Sequence, residues 1–215
     1  MDEVGGCYPI RGLREELVDK LRELPQRVLD AAAAAVEASG EGGGAGRFHG
    51  CFHFEARVDP RTGEVMPIEW NARLGGAECP ESVEAVSGHW LPRVAAELAL
   101  TRAGYHPAER AVGTQDTVVS ANIHLTRSGR LTALHIDGDR DRLELASLSL
   151  FGNQVGSIYM PGRGSASCLG WLATGGASKV EATARLRCAL ERIVVELDGE
   201  RVPMHLVCDH IGLRR

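Results

Sequence analysis

An α+β fold, antiparallel sheet with helices packed on it, is predicted by three features of this sequence. Leucines recur at helical spacing near the N-terminus. Two alternating segments, 51–58 and 65–73, flank a turn-forming set and read as a hairpin. Beyond Gly113, short alternating runs recur and end in one capped helix.

Between Gly12 and Ser39, Leu13, Leu17, Leu21, Leu24 and Val28 step by three and four, which is one face of a helix. Pro25 is expected to divide or kink it, because a mid-helix proline loses a hydrogen bond and clashes with the preceding turn. Gly40 stops the helix, and Gly42, Gly43, Gly44, Ala45 and Gly46 form a connector. No Gly-Lys-Ser/Thr follows, so this run is read as a plain loop and not as a phosphate-binding one.

In the first strand Phe52, Phe54, Ala56 and Val58 share one face, with Cys51, His53, Glu55 and Arg57 on the other. After Asp59-Pro60-Arg61-Thr62-Gly63 the second strand places Met66, Ile68 and Trp70 one way and Glu69, Asn71 and Arg73 the other. Residues 81–102 are helical in pattern, with a break at Gly88 and an end at Gly104. Strands are expected at 117–125, 131–136, 143–150, 154–160 and 168–174. The last helix opens with the capping-box string Ser178-Lys179-Val180-Glu181 and runs to Leu197. A boundary near 104–115 gives two predicted domains, 1–110 with the functional site and 111–215 a small α+β domain.

With 44% hydrophobic residues, 215 residues close a real core, which excludes disorder. A net charge of −5 gives no electrostatic reason to bind nucleic acid. No apolar run approaches the roughly 18 residues that span a bilayer, and Met1, Asp2 and Glu3 lack the basic start of a secretion signal. The expectation is a cytoplasmic protein with no membrane partner. Six cysteines without any Cys-x-x-Cys are expected as free thiols.

The candidate site lies on the hairpin. A three-residue loop at Arg61, Thr62 and Gly63 makes paired residue numbers sum to 124, which sets Glu55 across from Glu69. Opposed carboxylates repel, so this arrangement calls for a shared proton or a cation. Asn71 adds a neutral oxygen, and the oxygen-only set suits Mg²⁺ (or Mn²⁺), which takes its remaining ligands from water and phosphates. Arg73 is a fork for a phosphoryl or carboxylate oxygen. Gly75 and Gly76 bring backbone N–H groups to an anion without a Cβ in the way.

These residues carry a family resemblance. His53-Phe54-Glu55, then Pro67-Ile68-Glu69-Trp70-Asn71-Ala72-Arg73-Leu74-Gly75-Gly76, then Pro80, Val83 and Ser87-Gly88-His89-Trp90, resemble the C-terminal half of an ATP-grasp domain. The resemblance implies that Glu55 and Glu69 bridge the magnesium ions of bound ATP, that Asn71 accompanies them, and that Arg73 is the catalytic arginine on the transferred phosphate or acyl phosphate. Residues 118–197 resemble the small domain that follows ATP-grasp in amino-acid ligases, carnosine-synthase-like enzymes and biotin-carboxylase relatives. The implied activity is that of an ATP- and Mg²⁺-dependent ligase joining a small-molecule carboxylate to an amine through an acyl phosphate.

One departure is large. Complete enzymes of that superfamily are longer and use lysines in a subdomain that covers the phosphates, whereas this chain has only Lys20 and Lys179. The resemblance therefore implies a segment that is incomplete alone and needs an N-terminal half or a second copy, or else a non-catalytic partner or remnant of such a ligase. A third reading, zinc held by His49, His53 and Cys79, lacks the Pro-Cys-x-x-Cys that zinc deaminases place downstream of His-x-Glu. No Gly-x-Ser-x-Gly supports a serine hydrolase.

Overall fold

In chain order the elements are β1 (Cys7–Tyr8), α1 (Glu15–Ser39), β2 (His53–Asp59), β3 (Glu64–Asn71), α2 (Cys79–Ser87), α3 (Leu91–Thr101), β4 (Thr117–Asn122), β5 (Gly129–Ile136), β6 (Leu145–Leu150), β7 (Ile158–Tyr159), β8 (Gly170–Gly176), α4 (Lys179–Leu190), β9 (Ile193–Leu197) and β10 (Glu200–Arg201). This computed structural model describes residues 6–9, 13–39, 50–59, 61–101, 112–139, 143–162 and 167–204. The predicted α+β class, with antiparallel strand pairing throughout, is what the chain adopts. Its packing divides into two units. One comprises Met1–Arg11, Gly76–His89 and Arg110–Arg215, and the other Gly12–Gly75 and Trp90–Glu109. The connector at 42–46, His49, Gly104 and Cys208 lie outside the described residues.

The smaller unit contains α1, the β2–β3 hairpin and α3. Helix α1 buries Leu17 and packs on β2 and β3. Contrary to expectation it is not divided at Pro25, which sits inside one continuous element. Residues 21–29 are half-exposed or exposed, so water can satisfy the carbonyl that the missing N–H leaves without a donor. On its solvent face Lys20 lies 3.1 Å from Glu16. This hydrogen bond, together with the charges of Lys20 and Arg14, holds the Glu16 carboxyl below the usual range.

The hairpin departs instructively from its expected form. Asp59 pairs with Glu64, so four residues and not three close it, and the N–H of Gly63 donates to the Asp59 carbonyl at 2.8 Å. Near the loop, paired numbers sum to 123. A bulge between Glu55 and Ala56 then leaves Ile68 unpaired, and beyond it the sum becomes 124. The bulge corrects the facing of Met66: opposite Arg57, it shares the face of Glu55 and Glu69 and not that of Trp70. Burial agrees, since Arg57 and Met66 are exposed while Val58 and Val65 are half-buried. On the opposite face Phe52 packs on Trp70, with ring centroids 5.0 Å apart.

The larger unit holds two four-stranded antiparallel sheets, ordered β1-β4-β8-β6 and β10-β9-β5-β7, with α2 and α4. Its core takes Ala121 and Ile123 around β4, Leu131 from β5, Leu172 from β8, Leu186 and Leu190 from α4, and Ile193, Val195 and Leu197 from β9. Burying one such side chain contributes about 1.5 to 3 kcal/mol. Helix α4 packs on β8 and β4. It starts as its capping box dictates: the N–H of Glu181 donates to Ser178 Oγ at 3.2 Å, and Glu181 Oε2 accepts from the N–H of Ala177 at 2.9 Å. Helix α2 ends at Gly88, whose φ of 74° is the left-handed cap that favours glycine, and its N–H donates to the Glu84 carbonyl at 2.7 Å. This is the predicted break.

Two predicted elements change. The last helix stops at Leu190, and Ile193–Leu197 forms β9. The β-branched run Ile193-Val194-Val195 prefers a pleated, buried surface, and all three side chains are buried there. The expected strand over 154–160 shrinks to β7, because Gly152–Gln154 forms a 3-10 turn. The tail past Asp198 turns tightly into β10, with Glu200 opposite Leu197. None of the five described cysteines is in a disulfide, and no described helix is long and apolar enough to cross a membrane.

Candidate functional site

The bulge and the pleat of the hairpin together build a polar face. On alternate rungs His53 opposes Asn71 and Glu55 opposes Glu69, with Phe54 and Trp70 between them on the other side. The expected opposition of the two glutamates therefore holds at this end of the hairpin.

One donor atom each from His53, Glu55 and Glu69 lies within 4.8 Å of the others, the one such group of three among the described residues. His53 Nδ1 sits 3.6 Å from Glu55 Oε1. That nitrogen is shielded from solvent and has no hydrogen-bond partner, although the side chain as a whole is 28% exposed. Asn71 Nδ2 donates to Glu69 Oε1 at 2.6 Å, fixing one carboxylate oxygen. Two facing carboxylates beside an unsatisfied imidazole nitrogen suit a divalent cation, which both relieves the repulsion and takes up the lone pairs.

Arg73 lies two residues past the end of β3, in a bend, and not on the strand face. Its guanidinium is exposed, and Nη1 donates to the Leu74 carbonyl at 3.0 Å. Gly75 closes one segment of the smaller unit and Gly76 opens a segment of the larger one. A Cβ at Gly76 would meet nothing within 4 Å, and the Gly76 carbonyl accepts from the N–H of Cys79 at 3.1 Å. Cys79, named in the zinc reading, is not in the group of three, and its Sγ lies 3.0 Å from the Tyr8 hydroxyl.

The larger unit holds two features that sequence reasoning did not single out. Glu78, 1% exposed at the N-cap of α2, accepts from Ser120 Oγ at 2.5 Å through Oε1, while Oε2 and the nearby Ser82 Oγ are buried without a partner. Nothing in the local pattern marks Glu78 as buried; only the packing of α2 on β4 does so. A cavity of about 650 Å³ is lined by Glu81, Glu84 and Glu144 together with Arg185. Arg185 is taken up by Glu144 at 2.9 Å and Glu181 at 2.7 Å, so the remaining charge is negative and suits a cationic small molecule better than a phosphate. Glu81 and Glu84, three apart on one helix, are the signal that was available for it.

Comparison with known proteins gives a match in structure alone. No family model matches the chain, and no curated protein does. Among solved structures, phosphoribosylglycinamide synthetase from Anaerococcus prevotii superposes with a TM-score of 0.68 at 16% identity, over 92% of this chain and 46% of that one. L-amino acid ligase from Bacillus licheniformis gives 0.64 at 21% identity, over 92% and 45%. Biotin carboxylase from Campylobacter jejuni, solved as a β-γ-ATP complex, gives 0.56 at 18% identity, over 98% and 44%. These are ATP-grasp ligases, and the fold of this chain is similar to theirs, in keeping with the resemblance carried by its sequence. The chain spans less than half the length of each.

Proposed function

We propose that this chain supplies the cation- and phosphate-binding segment of an ATP- and Mg²⁺-dependent ligase that joins a small-molecule carboxylate to an amine through an acyl phosphate. One observation carries the reading: Glu55 and Glu69 stand opposed on the hairpin, with Asn71 bonded to Glu69, in a fold similar to that of ATP-grasp ligases. A cation held there supplies charge neutralisation for the β and γ phosphates of ATP.

The chain's own residues have distinct tasks. Glu55 and Glu69 hold the cation, and the Asn71 amide sets the rotamer of Glu69 while its carbonyl oxygen offers a further ligand. Arg73, exposed and donating to the Leu74 carbonyl from Nη1, has further N–H donors to set on the transferred phosphoryl group. The backbone at Gly75 adds a donor at the same oxygens. In comparable sites one such donor is worth about 10² to 10³ in rate. The substrate carboxylate would attack the γ phosphorus and expel ADP to give the acyl phosphate, and the amine would then attack the acyl carbon, expel phosphate and give up a proton. Because the chain spans under half of the ligases it resembles, the reading gives the adenine pocket and substrate choice to a further segment, in the same polypeptide, a partner or a second copy.

The test is calorimetric titration of ATP with and without Mg²⁺. The expected result is binding that needs Mg²⁺ and vanishes in Glu69→Gln. Binding indifferent to Mg²⁺, or undiminished in the variant, refutes the reading. A folded chain that binds neither ion nor nucleotide is instead the non-catalytic partner or remnant.

A further inference from the structure

His53 has no part in the reading above, yet its position is the least ordinary on the hairpin. The pleat puts it on the face of Glu55, and the register puts it opposite Asn71, so two alternate rungs present one imidazole, two carboxylates and one amide to the same side. Its Nδ1 is shut off from water and hydrogen-bonds nothing, an arrangement that costs stability unless something binds there. At 3.6 Å from Glu55 Oε1 it is too far for a hydrogen bond. Two ligands of one ion with bonds of about 2.1 Å stand about 3.0 to 3.4 Å apart, so a small rotamer adjustment brings Nδ1 to that spacing.

Resting on the reading that Glu55 and Glu69 hold a divalent cation, we propose that His53 Nδ1 is a third ligand of that ion, which makes the site selective for Mn²⁺ and similar first-row ions over Mg²⁺. Mg²⁺ keeps to oxygen ligands and sheds water reluctantly, whereas Mn²⁺, Co²⁺ and Zn²⁺ accept an imidazole nitrogen. The ligand set becomes one nitrogen and two carboxylates, with the Asn71 oxygen in reserve. Arg57 and Met66 follow on the same face beyond the bulge and bring no further anionic donor to it.

The test uses the full chain, free of any affinity tag, with Mn²⁺ alone as probe. Calorimetry is expected to show Mn²⁺ binding at least about tenfold tighter than Mg²⁺, and electron spin echo modulation to show a directly bonded nitrogen. In His53→Ala the nitrogen modulation should disappear and Mn²⁺ affinity fall by about tenfold or more, with Mg²⁺ affinity changed by less than about threefold. Glu55→Gln should lose Mn²⁺ and the modulation together. If Mn²⁺ binds and needs Glu55, but shows no nitrogen and is indifferent to His53→Ala, the proposal is overturned while the cation reading stands. If no divalent ion binds, both fall. Should His53→Ala fail to fold, the wild-type modulation and the Mn²⁺ to Mg²⁺ ratio decide alone.

Discussion

Removing one of the opposed carboxylates should stabilise the apo protein while abolishing its response to cations. Glu55→Gln is the cleaner choice, because Glu69 also accepts the Asn71 hydrogen bond. The donor atoms lie within 4.8 Å and the Glu55 side chain is 41% exposed, so the dielectric of water applies and the bare repulsion is about 0.9 kcal/mol. Screening over a Debye length of about 8 Å at physiological salt reduces it to about 0.5 kcal/mol, and at 1 M salt to about 0.2 kcal/mol. In chelator the variant should therefore unfold at slightly higher urea than the parent, by a margin that shrinks with salt. In Mn²⁺ at a hundred times its dissociation constant the parent gains about 2.7 kcal/mol and overtakes it, while the variant gains nothing. Urea unfolding followed by tryptophan fluorescence reads both, since Trp70 lies on the hairpin. A variant less stable in chelator, or one that keeps the cation-linked gain, would refute the idea that the pair is a strained cradle awaiting an ion.

Further outcomes follow from the packing and from one thiol. Gly170→Ala should cost at least about 2 kcal/mol in denaturant titration, because φ is +144° and an added Cβ would lie 2.1 Å from the Ser149 carbonyl oxygen; a cost under 0.5 kcal/mol, on the order of a surface change, would contradict the β6–β8 pairing. Burial raises the Cys51 thiol above its ordinary range, so at pH 8 less of it is the reactive thiolate. Iodoacetamide followed by peptide mass mapping should label the exposed Cys188 before Cys51, and the reverse order would place Cys51 in an open, cation-rich environment instead.

Much of the architecture is legible locally. The capping box at Ser178, the Gly88 break and the alternation of 51–58 each act within a few residues, and each appears as read. Tertiary context decides the rest. Helix propensity extends the Ser178 helix toward Leu197, but Ile193, Val194 and Val195 gain more by pairing with β5 in a sheet that buries them. Likewise Glu78, charged and beside a glycine pair, reads as surface until α2 packs on β4. At the site itself, alternation alone places His53 with Glu55; what it cannot supply is the solvent shielding of an Nδ1 without a hydrogen-bond partner, which among the described histidines is particular to His53 and underlies the proposal made for it.

The hairpin register shows how two departures can cancel. A four-residue loop extended without irregularity would set Glu55 opposite Ile68 and Glu69 opposite Phe54, on the face of Phe54, leaving no carboxylate pair. The bulge inserts one residue, Ile68, and restores the opposition. Pro67 stands beside it, unable to donate to the ladder, which is where a sheet tolerates proline. Ile68 itself is 61% exposed and contributes little to packing. Deleting Ile68 should therefore straighten β3, leaving Ala56 opposite Pro67 and Glu55 opposite Glu69, with Mn²⁺ affinity within about threefold of the parent. Isothermal titration of the deletion variant, with circular dichroism to confirm that it folds, decides the matter. Retained affinity would mean that register alone brings the donors together. Loss of affinity in a folded variant would mean that the extra local twist of the bulge, and not only its count, aims Glu69 at the ion.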